Sequence, residues 1–133
     1  MDDILQVVEA RREVYLDWLI QLCQQPSIAA QNVGMAETAQ LVERLLREIG
    51  ARARQVPTEG YSVVYGEVGG TGDKTLSFYN HYDVQPPEPL DEWQSDPFTP
   101  TIRDGVFYAR GVADNKGNLV ARLAAVDAYL RAR

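Results

Sequence analysis

The chain has 133 residues, 45% of them hydrophobic, with one cysteine and one histidine. This length and apolar content suit one domain with its own core, and no apolar run approaches the length of a membrane span. A formal net charge of −6 argues against nucleic acid as a partner, because nucleic-acid-binding surfaces are basic. We therefore expect a globular protein that binds neither membranes nor nucleic acid.

The N-terminal residues and the cysteine content both favour a cytoplasmic location. The N-terminus is acidic and leads into an amphipathic pattern, so it lacks the layout of a signal peptide. The single Cys23 cannot form an internal disulfide, as is typical of the reducing cytoplasm. Cys23 also falls among helix-periodic apolar positions, which favours a core residue over a nucleophile.

The first part of the chain predicts two helices. Apolar residues recur at near-helical spacing from Ile4 to Cys23, and Pro26 helps to end this pattern. A clearer apolar stripe extends from Met35 to Ile49, and Gly50 follows as a natural C-terminal stop.

Strand-like segments occupy the middle of the chain, and a last helix is predicted after Gly117. The segments are 51–56, 61–68 and 75–79, the last of which has the composition of a buried strand. Asp104-Gly105 predicts a two-residue hairpin, in which Asp104 is a turn residue. Helices before and after a run of strands indicate an α/β domain with a mixed sheet between helical layers.

A proline-rich loop extends from Gln85 to Pro100. Loops of this length in a compact domain are usually functional or disordered. Trp93, Pro97 and Phe98 supply apolar groups that would attach this loop to the body of the domain. We therefore expect it to be ordered.

The only histidine directly follows the third strand-like segment, and a carboxylate stands two positions later. In an extended chain such positions point to the same side, so Asp83 could hold one ring nitrogen of His81 and leave the other free for a metal. Asp114 lies in the loop that enters the last helix, where α/β proteins often place their sites. These three residues are the candidate site.

Taken alone, the residues leave other interpretations open. A histidine at a strand end is often only structural, and an aspartate before a helix is usually an N-cap. Four further acids follow His81 without any basic residue among them: Glu88, Asp91, Glu92 and Asp96. They either belong to a solvated loop or create a negative electrostatic potential around a cation site.

The stretch from Asn80 to Gly117 resembles the signature of a known family. Its elements, in order, are an HxDV segment, a Trp and then a Pro-Phe pair, an Asp-Gly hairpin, an Arg-Gly pair and an Asp-x-Lys-Gly sequence. The family is that of the co-catalytic zinc metallopeptidases, which includes aminoacylase, acetylornithine deacetylase, carboxypeptidase G and the cytosolic dipeptidases. Three positions depart from its usual pattern without removing a ligand position: Asn80, Ala109 and Asn115.

This resemblance implies a zinc-exopeptidase-like fold and a role for each candidate residue. His81 resembles the ligand of one zinc, Asp83 the catalytic carboxylate that orients it, and Asp114 the carboxylate that bridges two metals. A bridging carboxylate partly offsets the repulsion between two cations. The resemblance also implies a cis peptide bond between Asp114 and Asn115. The implied cofactor is zinc, two ions per complete site, with cobalt or manganese as alternatives.

The family's other functional residues have no counterpart in this chain. These are an adjacent pair of glutamates, a further acidic ligand and a second histidine. The resemblance thus implies that residues 1–133 are the N-terminal portion of a catalytic domain, without its C-terminal part or its lid or dimerisation domain.

Because His81 and Asp114 are fewer ligands than zinc requires, we expect weak metal binding and no activity from this chain by itself. A truncated sheet would also leave an exposed surface, which predicts a homo-oligomer.

The function implied by the resemblance is hydrolysis of the amide C–N bonds of small peptides or N-acyl amino acids by metal-activated water. The alternative is a non-catalytic α/β module for binding or assembly. A serine or cysteine hydrolase is disfavoured, because the chain has no G-x-S-x-G sequence and its only cysteine lies on a predicted helix face.

Overall fold

The computed structural model describes all of residues 1–133. It contains the helices α1 (Asp2–Ala10), α2 (Arg12–Gln24), α3 (Met35–Glu48) and α4 (Gly117–Arg131). The strands β1 (Arg52–Val56), β2 (Val63–Glu67), β3 (Thr101–Arg103) and β4 (Val106–Tyr108) all lie between α3 and α4. A kinked turn, Val112–Lys116, leads directly into α4. None of the helices is both long and apolar enough to cross a lipid bilayer.

The single helix predicted from Ile4 to Cys23 is wrong, because the chain breaks at Arg11 into α1 and α2. The Arg11 side chain donates a hydrogen bond to Asp127 of α4, with 2.7 Å between Nε and Oδ2. The buried Asp127 carboxylate also accepts hydrogen bonds from Tyr15 and Arg131. A long-range contact of this kind leaves no trace in the local spacing of apolar residues.

Helix α3 begins and ends close to its predicted limits. Gly50 has a φ of +87°, a conformation that side chains disfavour. Its N–H donates to the Arg47 carbonyl at 2.9 Å, and the Ala51 N–H donates to the Leu46 carbonyl at 3.0 Å. This pair of hydrogen bonds is a Schellman motif, which satisfies carbonyls at the helix end.

The hydrophobic core lies between α2, α3 and α4. Its most buried members include Trp18, Leu22 and Leu45, packed with Leu119 and Leu123. Cys23 is fully buried beside this cluster, as predicted for a core residue, and burial raises the pKa of its thiol to about 11. A thiol that stays protonated in this way is a poor nucleophile.

The strands form two separate antiparallel pairs, β1 with β2 and β3 with β4. The first pair packs against α3, where Leu46 meets the backbone of Gly66. The second pair is the predicted hairpin. Asp104 and Gly105 at its tip both have positive φ, 51° and 76°, which is the conformation of a type I′ turn. Asp104 is therefore a turn residue, as predicted.

The buried strand predicted at 75–79 is absent from the structure. No other segment pairs with these residues, and their side chains are exposed, Leu76 by 78% and Tyr79 by 84%. A strand needs a partner for its backbone N–H and C=O groups, and residue composition does not supply one. The molecule remains an α/β fold of helices with small sheets.

Candidate metal site

The structure brings His81, Asp83 and Asp114 together. The Nδ1 atom of His81 lies 3.1 Å from both Oδ1 and the backbone oxygen of Asp83. The Nε2 atom lies 2.9 Å from Oδ1 of Asp114. Each ring nitrogen of His81 therefore faces a different carboxylate. This is the arrangement expected if Asp83 orients the ring and Asp114 shares a cation with it; the roles themselves stay predictions.

The three side chains lie at the surface and form a charged cluster. The side chains of His81, Asp83 and Asp114 are 39%, 42% and 83% exposed, so solvent and ions can reach all three. Burial lowers the pKa of His81, but its hydrogen bonds and the charges of both carboxylates outweigh that effect, and the pKa lies above its ordinary value of 6.5. The two acceptors stabilise the charged imidazolium because both ring nitrogens then donate.

A single buried serine fixes the backbone on both sides of Asp83. The hydroxyl of Ser27 donates to the Tyr82 carbonyl at 2.7 Å, and the Val84 N–H donates to the Ser27 carbonyl at 2.8 Å. The Tyr82 hydroxyl in turn donates to the Ser62 carbonyl at 2.7 Å. The His81 segment is thus held by hydrogen bonds although it belongs to no strand.

Helix α4 holds the residues that precede His81. The guanidinium of Arg122 donates to the Tyr79 carbonyl at 2.7 Å and also to the Asn80 side-chain oxygen. Sequence reasoning identified neither Arg122 nor Ser27. No local pattern marks them, because their contacts join residues 42 to 55 positions apart in the chain.

The Asp114 loop is bent sharply and packed closely. Asp114 leaves helical geometry (φ −132°, ψ 95°), and the peptide bond between Asp114 and Asn115 is cis, as the resemblance implied. Gly111 has a φ of +80°, and a Cβ there would lie 2.3 Å from Cγ1 of Val84. Glycine is therefore required where the two site segments meet.

The long loop after His81 is ordered, as predicted. The Trp93 indole donates to the Pro87 carbonyl at 2.8 Å. Arg110 holds the loop at two further points, donating through its side chain to the Pro86 carbonyl and through its N–H to the Pro97 carbonyl. Its guanidinium also lies 5.0 Å from the centre of the Trp93 ring, a cation–π contact.

The acids of that loop are exposed and make no hydrogen bond to His81. Asp96 caps a local turn by accepting from the Phe98 N–H at 2.8 Å. The geometry therefore supports the solvated-loop interpretation for these residues: Glu88, Asp91, Glu92 and Asp96.

The ligand atoms at the site are of the types that zinc binds, but there are fewer of them than a zinc site requires. An imidazole nitrogen and a carboxylate oxygen are zinc ligands, and zinc-bound histidines usually donate their other N–H to a group such as Asp83. No group of three or more His, Cys, Asp or Glu side chains that could hold a metal ion is present. Catalytic zinc sites take three ligands from the protein.

Comparison with known proteins identifies the family to which this fold belongs. The model of peptidase family M20/M25/M40 matches residues 77–133. The chain aligns with an M20 family metallo-carboxypeptidase from Sulfolobus solfataricus with a TM-score of 0.86 and 43% identity, over 88% of this chain and 27% of that one. Human carnosine dipeptidase 1 gives a TM-score of 0.86 at 29% identity, over 96% and 30% of the two chains.

Curated relatives agree with this assignment. A succinyl-diaminopimelate desuccinylase of Polynucleobacter necessarius is 40% identical over 98 residues, 68% of this chain and 25% of the relative. That of Bordetella parapertussis is 34% identical over 117 residues, 88% of this chain and 30% of the relative. The chain thus spans 25–30% of the length of these relatives. The chain belongs to peptidase family M20/M25/M40, a family of hydrolases, and the zinc-exopeptidase-like α/β fold is confirmed.

Proposed function

We propose that this chain contributes part of a dinuclear zinc site to a hydrolase that cleaves amide C–N bonds in small peptides or N-acyl amino acids. The observation that carries the proposal is the placement of His81 between Asp83 and Asp114 in a chain of this family. The relatives are named as a desuccinylase, a carboxypeptidase and a dipeptidase. Those names describe removal of an acyl group or an amino acid, which supports the substrate class.

In this proposal His81 and Asp114 hold zinc. Asp83 holds the Nδ1 N–H of the ring and leaves Nε2 as the metal-binding atom. The Asp114 carboxylate, whose Oδ2 makes no hydrogen bond, has an oxygen available for a second cation. When bound, zinc supplies a Lewis acid that polarises the substrate carbonyl and acidifies the attacking water.

The proposal also covers domain organisation. Residues 1–133 form the N-terminal portion of a larger catalytic domain, and the remaining ligands and the general base come from residues outside this chain. The 25–30% coverage of the relatives supports this arrangement, as does a donor set that is short of three. A cytoplasmic location belongs to the same proposal and is supported by the free, buried Cys23.

The test is zinc content and amide hydrolysis by the full-length product of the gene that encodes this chain. Substrates are a panel of dipeptides, N-succinyl amino acids and N-acetyl amino acids. We expect zinc-dependent hydrolysis that His81→Ala and Asp114→Ala each abolish, while Asp91→Asn, which removes an exposed charge of the same loop region, retains it. Activity that survives both substitutions would contradict the site assignment.

The second candidate is a non-catalytic binding or assembly module, favoured by the short donor set. It predicts that the full-length product folds but hydrolyses none of the panel with zinc, cobalt or manganese supplied. Hydrolysis of any member of the panel by the wild type rejects it.

A further inference from the structure

Both halves of the candidate site are attached to one short segment, residues 22–27, at the C-terminal end of α2. On one side, Ser27 holds the backbone that flanks Asp83. On the other side, Lys116, two residues after Asp114, reaches the same segment with its amine. His81 and Asp114 are 33 positions apart in the sequence. The two parts of the chain that carry them are thus both attached to residues 22–27.

Lys116 is fully buried, and its charged amine donates hydrogen bonds to backbone carbonyls. Its Nζ donates to the Leu22 carbonyl and to the Gln25 carbonyl, each at 2.7 Å. Carbonyls at a helix C-terminus lack helical partners, and a cation there is favoured by the helix dipole. The backbone N–H of Lys116 donates to the Gly111 carbonyl at 3.0 Å, so the residue also closes the turn that contains Asp114. Being wholly enclosed, its amine cannot contact a substrate.

Ser27 is equally enclosed, with no exposed surface. Its hydroxyl and its carbonyl bind the residues on either side of Asp83, at 2.7 Å and 2.8 Å. The close packing of Gly111 on Val84 joins the two supported segments directly. A shift of residues 22–27 relative to either segment would therefore change the separation of His81 and Asp114.

We propose that Ser27 and Lys116 are positioning residues, which set His81 against Asp114 by attaching both segments to the end of α2. The part of this inference that concerns zinc rests on the proposed function, whereas the placement of His81 against Asp114 does not.

The experiment uses the whole chain and the variants Lys116→Met, which keeps an unbranched apolar stem without a donor, and Ser27→Ala, which removes only the hydroxyl. Tyr15→Phe is the matched control, because it removes a buried hydroxyl that donates to Asp127 rather than to a site segment.

Zinc affinity is measured by calorimetry, and folding by circular dichroism. A second readout needs no metal: 15N-histidine labelling gives the signals of one imidazole, since the chain has one histidine. It is recorded at one fixed pH where the ring is charged, and slow exchange of each N–H with water reports its hydrogen bond.

We expect Lys116→Met and Ser27→Ala to weaken zinc binding by about tenfold or more, the lower end of the effect of losing a group that orients a ligand. Both should also speed exchange of the Nε2 proton, whereas Tyr15→Phe changes neither readout by more than about twofold. If Lys116→Met fails to fold, Ser27→Ala decides. If the wild type binds no zinc, the proposed function is weakened and the imidazole signals alone decide the positioning role. Folded variants with wild-type proton exchange would overturn it.

Discussion

At the scale of single residues, His81 has no free ring nitrogen in this structure, and the two acceptors differ in surroundings. Asp83 lies on the same segment and contacts Nδ1 with two oxygens, whereas Asp114 comes from another part of the chain and is 83% exposed. The Asp83 contact is therefore local and the Asp114 contact depends on tertiary structure. This difference agrees with the proposed roles, in which Asp83 orients the ring and Asp114, the more exposed carboxylate, binds the cation.

Asp83→Ala tests that assignment in the whole chain. Removing the carboxylate leaves Nδ1 with only the backbone oxygen, so the ring is less well oriented, and zinc affinity measured by calorimetry should fall about 10- to 100-fold. Asp91→Asn is the control, because it removes one charge from an exposed loop position without touching His81. Equal affinities in Asp83→Ala and the wild type would show that Asp83 does not orient the ligand.

Cys23 makes stability depend on pH. Its thiol has a pKa of about 11 in the folded chain, against an ordinary value of 9.0, because burial disfavours the thiolate. The folded state therefore holds this proton more tightly than the unfolded state. The resulting stabilisation is complete below pH 9 and is lost as the pH rises towards 11.

The free energy of unfolding, measured by urea titration at several pH values, should show this loss when the wild type is compared with Cys23→Ala. The difference between the two chains should be constant up to about pH 9 and then change by on the order of 2 kcal/mol by about pH 11. The comparison is needed because Lys116, whose pKa burial lowers to about 8, contributes the opposite trend in both chains. Parallel profiles throughout would contradict the prediction.

At the scale of secondary-structure elements, the end of α3 depends on the backbone conformation of one glycine. Gly50 has a φ of +87°, and a Cβ there would meet no atom within 4 Å. An alanine at this position would be strained by its backbone conformation and not by a steric clash. Gly50→Ala therefore measures the free-energy cost of a positive φ by itself.

We expect Gly50→Ala to lower the free energy of unfolding by about 1 kcal/mol, the cost of placing a side chain in the left-handed region. Gly70→Ala is the control, since that glycine is equally open but does not have a positive φ. It should change the free energy by less than about 0.5 kcal/mol, as exposed substitutions usually do. Similar values for the two variants in urea titrations would show that the Schellman motif does not limit α3.

At the scale of the whole molecule, an apolar segment, residues 76–79, lies on the surface without a partner. Leu76, Phe78 and Tyr79 are 78%, 50% and 84% exposed. Their backbone groups are also unpaired in any sheet. Exposed apolar residues beside unpaired backbone groups favour association between chains.

We therefore predict self-association of this chain that grows with concentration in sedimentation velocity or light scattering. The double variant Leu76→Asp with Phe78→Asp should remove it, since charge blocks edge pairing and apolar contact. Leu90→Asp, which places a charge at a 57% exposed leucine of the long loop, should leave it unchanged. A wild-type chain that stays monomeric at every concentration would reject the prediction.

Several features of this protein could be predicted from its amino-acid sequence. Apolar spacing and Gly50 located α3, Asp104-Gly105 located the hairpin, and the order of motifs identified the family and the candidates His81, Asp83 and Asp114. The apolar spacing, Gly50 and Asp104-Gly105 are local signals, and the motif order is read along the chain from Asn80 to Gly117. None of these predictions requires knowledge of how distant residues pack together.

Other features depend on contacts between distant residues and are visible only in the folded chain. At the break between α1 and α2, Arg11 donates a hydrogen bond to Asp127 of α4. Ser27 and Arg122 hold the segment around His81, and the amine of the buried Lys116 binds carbonyls at the end of α2. Residues 75–79 have strand-like composition, yet they form no strand because no partner backbone lies beside them. Spacing reports which side chains prefer the interior, but hydrogen-bond partners are set by how the elements pack.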